Sequence, residues 1–131
     1  MIPQQLWVFR AKPLRVVDGD TIDVEIDCGF RNRRTERLRL WGVNTPEKKT
    51  TTRIEGIAAQ EFTEQWLKDS ASSIEKISDA TMITKLEWPL IIWTEKDDAF
   101  GRFLAKVWRV NDGQCLNDEL LKSGNAVVDI R

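Results

Sequence analysis

At 131 residues and 15.2 kDa, with 41% apolar and 31% charged residues, the chain has the size and composition of one globular domain over residues 1–131. The absence of histidine and tyrosine excludes a Ser-His-Asp or Cys-His nucleophile system, a histidine-held zinc and a tyrosine nucleophile. The net charge of −1 hides an asymmetry: residues 31–53 carry eight basic residues against Glu36 and Glu47, a net of +6 that leaves −7 elsewhere.

Leu6 to Val17 is strand-like, with Lys12-Pro13 marking an edge or a bend. Asp18-Gly19-Asp20 is a turn. Ile22, Val24 and Ile26 then alternate with Asp23, Glu25 and Asp27, the period of a strand with one wet face. Cys28 to Arg34 turns again into a third strand marked by Leu38 and Leu40, which completes a meander. Asn44-Thr45-Pro46 ends it, because proline keeps its predecessor extended.

A helix is expected next, with Ile54, Ala58, Phe62 and Trp66 as its apolar stripe and Thr52 and Glu55 as a capping box. Residues 70–87 are polar and show no clear period. Trp88 to Trp93 and Phe103 to Val110 read as two strands about the turn Asp97 to Gly101. Leu116, Leu120 and Leu121 suit a short helix stopped by Gly124, and Ala126 to Ile130 is extended. The order β-β-β-α-β-β-α is that of an α+β, mainly β fold: a five-stranded OB-type barrel with two helices.

Cys28 and Cys115 are expected as free buried thiols. Residues 1–10 lack a basic region followed by an apolar run of signal-peptide length, and no apolar stretch is long enough to span a bilayer. The expectation is a cytoplasmic monomer that does not enter membranes.

Without histidine, catalysis falls to carboxylates, arginine, lysine, amides or an oxygen-held metal. Asp18 and Asp20, about Gly19, form either a plain turn or a carboxylate pair that approaches one cation. Arg39 alternates away from the leucine face, as a surface residue or one projecting into a groove. Asn44, Thr45 and Glu47 offer an amide oxygen, a carbonyl and a carboxylate to a hard cation, or else rim a proline turn. Arg102, directly after Gly101 at a hairpin turn, is either a surface arginine or a planar fork of donors for a phosphate. Phe100 is a stacking platform or core. Arg31, Arg33, Arg34, Lys48 and Lys49 form either a polyanion-binding stretch or a solvated arginine-rich hairpin.

Three blocks occur in order: Val16-Val17-Asp18-Gly19-Asp20-Thr21, then Arg39 through Glu47, then Asp98-Ala99-Phe100-Gly101-Arg102. Together with Leu116-Asn117-Asp118-Glu119-Leu120-Leu121, they resemble the staphylococcal nuclease (thermonuclease-like) family over nearly the whole chain. The resemblance implies a calcium-dependent nuclease that cuts DNA and RNA and leaves 3′-phosphate ends. It implies Asp20, Asn44 and the Thr45 carbonyl as metal ligands with Asp18 close by, Arg39 and Arg102 on the phosphate, and Glu47 as general base. The chain departs from the pattern at Asn44, where the family has aspartate, and in lacking the tyrosines that stack a base, for which Phe100 is the nearest substitute. Residues 70–87 are also longer than the matching stretch of the family's prototype. The alternative is a weak or inactive nucleic-acid- or protein-binding module on the same fold.

Overall fold

The structure, a computed structural model, describes residues 6–77 and 80–129, with the backbone alone described at 72–77, 80–85, 95 and 96. In chain order the elements are β1 (Val8–Asp18), β2 (Thr21–Asp27), β3 (Arg33–Leu40), β4 (Val43–Asn44), α1 (Arg53–Ser70), β5 (Ser72–Ile77), β6 (Ala80–Lys85), β7 (Leu90–Asp97), β8 (Phe103–Arg109), α2 (Leu116–Lys122) and β9 (Val127–Val128). Strands β1-β2-β3-β8-β7 close into a barrel through β1–β7 pairing. Every pair is antiparallel except β3–β8, which runs parallel over Leu38–Leu40. This is the expected five-stranded, mainly β barrel with two helices.

The period-two alternation of β2 sends Ile22, Val24 and Ile26 into the barrel, where they meet Leu38, Leu40, Leu90, Ile92, Ala105 and Val107. Pro13 does bend its strand. Pairing of β1 with β7 ends at Ala11, and its register with β2 slips between Pro13 and Arg15.

Residues 70–87 contain an antiparallel hairpin, β5–β6, in register from Ser72↔Lys85 to Ile77↔Ala80. The extended tail makes β9, which pairs with β4 through Val43↔Val128 and Asn44↔Val127. Asn117 at the start of α2 is 2% exposed and ties that helix to the barrel. Its Oδ1 accepts from Val107 N, and its Nδ2 donates to the carbonyls of Trp41 and Ala105.

The expected stripe of α1 holds at Phe62 and Trp66, which pack into the core, and is corrected at Ile54 and Ala58. Its buried positions are Gly56, Ala59, Thr63, Trp66, Leu67 and Ser70, whereas Ile54 is 82% exposed and Ala58 faces solvent. Each step of four advances about 40° around a helix, so a strict i+4 series spirals off the face that mixed steps of three and four follow. The capping box is absent as well. Thr52 Oγ1 donates to the Glu47 carbonyl at 2.6 Å instead of capping the helix.

Cys28 is half-buried and Cys115 buried, both free. Burial pushes the Cys115 thiol above its ordinary pKa, which disfavours the reactive thiolate. Among the described residues, no helix is long and apolar enough to cross a membrane.

Candidate active site

Hairpin β1–β2, the end of β3, the loop after β4 and the β7–β8 turn converge on one open cleft of about 480 Å³. It is lined by Asp18, Asp20, Arg39, Asn44, Thr45, Glu47, Lys48, Lys49, Phe100 and Arg102. These residues come from three segments far apart in sequence.

Asp20 is the fixed point. Its Oδ1 accepts from Thr21 Oγ1 and its Oδ2 from Thr45 N, each at 3.0 Å, and its side chain is 11% exposed. Gly19 makes that placement possible through close approach. A Cβ there would lie 2.8 Å from Ala59 Cβ and 3.0 Å from Thr45 Cγ2. Thr63 Oγ1 then clamps the turn by donating to Gly19 O at 2.6 Å. Helix α1 therefore serves as the backing plate of the aspartate turn.

Arg39 does point away from the leucine face, but it is a buried residue, 4% exposed, beneath β4 and β9. Both Nη1 hydrogens are committed, to Leu40 O at 2.9 Å and Val43 O at 2.7 Å. Its Nη2 donates to Asn44 Oδ1 at 3.2 Å and lies 3.4 Å from Asp20 Oδ2 and 3.6 Å from Asp129 Oδ2.

Arg102 is held differently. Asp98, whose side chain is only 1% exposed, accepts from Phe100 N, Arg102 N and Arg102 Nε. Burial raises the Asp98 pKa, but those hydrogen bonds and the guanidinium charge outweigh it and hold the carboxyl below its ordinary value. The clamp is thus fully formed above the ordinary aspartate range and is lost only as pH falls through the lowered value. With Nε engaged, Arg102 lines the cleft together with Phe100, whose ring centre is 5.5 Å from the guanidinium carbon and which is 77% exposed.

Glu47 is 71% exposed by side chain and 3.0 Å from Lys49 Nζ, a surface pair of little energetic weight. Its backbone is better fixed than its carboxylate. A Cβ on Gly56 would lie 2.8 Å from both C and O of Glu47, so α1 and the Glu47 loop touch backbone to backbone. Gly56→Ala gains up to about 1 kcal/mol of helix propensity against an overpacking cost of about 1–3 kcal/mol. The expected result is a net loss of about 0–2 kcal/mol and a melting temperature at or below the parent's, which thermal denaturation of both proteins checks.

Lys48 is exposed but tied down. Its Nζ donates to Val17 O and Gln60 Oε1 and sits 3.5 Å from Asp18 Oδ1, stitching the loop to β1 and α1.

Arg31, Arg33 and Arg34 lie elsewhere. They occupy the far end of the β2–β3 hairpin, where Asp27 faces Arg33, while Arg39 faces Thr21 at the cleft end. Six residues of strand separate the two ends by about 20 Å. Arg33 pairs with Glu25 and Glu87, and Arg34 with Glu36, while Arg31 is exposed at the turn. The +6 of the sequence window is therefore split between two ends of the barrel.

The residues expected to hold a cation all line the cleft and offer oxygen: the Asp20 carboxylate, the Asn44 amide and the Thr45 carbonyl, with Asp18 among them. This is the donor chemistry of a hard divalent cation and fits calcium or magnesium in type. Among the described residues no three Asp, Glu or Cys side chains group as a cage, so neutral oxygens and water would complete any coordination.

The family profile described as staphylococcal nuclease homologue matches residues 37–130. The chain belongs to the staphylococcal nuclease homologue family. It is 35% identical over 86% of its length to a thermonuclease of Staphylococcus intermedius and 34% over 88% to a thermonuclease of Staphylococcus hyicus. It is also 31% identical over 93% of its length to an uncharacterized protein of Methanocaldococcus jannaschii. The chain spans 55–60% of the length of these relatives.

Two site residues escaped sequence reasoning. Asp98 lay in a quoted motif without a role, although an aspartate opening a turn four residues before an arginine is a readable signal. Asp129 had no local signal, since only the β4–β9 pairing brings it to Arg39.

Proposed function

We propose that this staphylococcal nuclease homologue is a calcium-dependent phosphodiesterase that cuts DNA or RNA and leaves 3′-phosphate ends. The observation that carries this reading is the convergence of Asp20, Arg39, Glu47 and Arg102 on one cleft. Asp20, Asn44 and the Thr45 carbonyl would hold the cation, with Asp18 at the edge. Bound there, calcium supplies charge that polarises a phosphate oxygen.

Glu47 takes the proton of the attacking water or orients that water. Water oxygen bonds to phosphorus, the phosphorus–5′-oxygen bond breaks with its electron pair on the 5′-oxygen, and that oxygen takes a proton from solvent water in the open cleft to leave as a hydroxyl. Arg102 presents its Nη edge to the equatorial oxygens as their charge grows. Arg39 adds fixed positive charge from the cleft wall. Phe100 offers a ring face to a base beside the phosphate.

Incubating the protein with calcium and single-stranded DNA or RNA tests the product assignment. With the substrate labelled at its 5′ end, a polymerase should extend the labelled fragments, which end at the new cut, only after phosphatase treatment. Labelled fragments that extend directly would overturn the cleavage direction.

Lys48 and Lys49 lie at the cleft, and Arg31, Arg33 and Arg34 offer a second contact about 20 Å away along the strand. Binding of an oligonucleotide is therefore expected to weaken with salt. A short oligonucleotide should show the smaller slope, because it cannot reach both ends of the hairpin. Equal slopes for short and long strands would remove Arg31, Arg33 and Arg34 from the interface.

A further inference from the structure

We propose that Asp129 is a positioning residue: from directly after β9 it supplies the counter-charge that keeps Arg39 on the cleft wall and releases Asp20 for the cation. The inference rests on the calcium-dependent reading above. Arg39 Nη2 is met by Asn44 Oδ1 at 3.2 Å, Asp20 Oδ2 at 3.4 Å and Asp129 Oδ2 at 3.6 Å. Asn44 brings no charge, so Asp20 and Asp129 share one buried guanidinium.

The sharing has a consequence for binding. A cation held by Asp20 competes with Arg39 for the same carboxylate and repels the guanidinium. A buried guanidinium left without an anion is strongly disfavoured. Asp129, at 25% side-chain exposure, can keep its pairing with Arg39 while Asp20 turns its charge to the cation. Its place is fixed by backbone rather than chance. Asp129 N donates to Gly42 O at 3.0 Å, next to the β4–β9 ladder that also carries Asn44. The closing strand thus connects the chain's last described residues to the cleft charge balance.

The test is calorimetric titration of calcium into the parent, Asp129→Asn and Asp129→Glu, with melting of each metal-free protein and kcat and KM on single-stranded DNA. Asp129→Asn keeps size and polarity but removes the charge. It should weaken calcium binding about tenfold and lower kcat with little change in KM, in the range seen when partners of ligating groups are removed. Asp129→Glu should restore most of both. Calcium affinity unchanged in a folded Asp129→Asn, or an equal loss in the asparagine and glutamate variants, would overturn the proposal and leave Asp129 a structural tie. A parent that binds no calcium would instead overturn the metal reading on which the proposal rests.

Discussion

Arg102→Lys is expected to lower turnover about 10²–10³-fold while the protein stays folded, the scale of losing one fixed donor at a transition state. Lysine keeps the charge and can still reach Asp98. It cannot do so and also present two parallel N–H groups to a phosphate, because its donors radiate from one nitrogen. In the parent, Asp98 engages Nε of a guanidinium that lines the cleft. The side chain is 27% exposed and lies outside the core, so melting should change little. Steady-state kinetics with thermal denaturation of both proteins decides it. Turnover within threefold of the parent would place Arg102 away from the phosphate.

Arg39→Leu is expected to cost stability as well as activity. The substitution strips donors from Leu40 O, Val43 O and Asn44 Oδ1, and it removes the cation beside Asp20 and Asp129. Breaking a buried ion pair by removing one partner costs about 3–5 kcal/mol, more than the added leucine burial recovers. The urea midpoint should fall accordingly, and calcium should recover part of the loss by returning positive charge to Asp20. A loss below about 1 kcal/mol, without recovery by calcium, would show that Arg39 does not hold these groups together.

The barrel was legible because its signals are local. Alternation in β2, the turn at Asp18 to Asp20 and the leucines of β3 each fix their own strand, and Pro13 bends β1 as its chemistry requires. The helix face was misread because the i+4 series from Ile54 to Trp66 omits the small residues Gly56, Ala59 and Thr63. These face inward because the aspartate turn and the Glu47 loop press on them. Hydrophobicity gives no warning of such contacts.

The cleft was legible only through the ordered blocks, since nothing in Arg39 or Arg102 alone separates a phosphate ligand from a surface arginine. The +6 window misled because the eight-residue β3 is long enough to carry Arg33 and Arg39 to opposite ends of the hairpin. Asp129 was beyond reach, because its partner lies 90 positions earlier in the chain.

The central claim is that this cleft hydrolyses nucleic acid with a hard cation held at Asp20. Cleavage of single-stranded DNA and RNA by the purified protein tests it most directly, with calcium, with excess chelator, and with calcium restored. Cutting is expected with calcium, none in chelator and full recovery on restoration, with Glu47→Gln and Arg102→Lys strongly impaired throughout. Binding of either polymer without cutting under any divalent cation, or cutting undiminished in chelator, would contradict it.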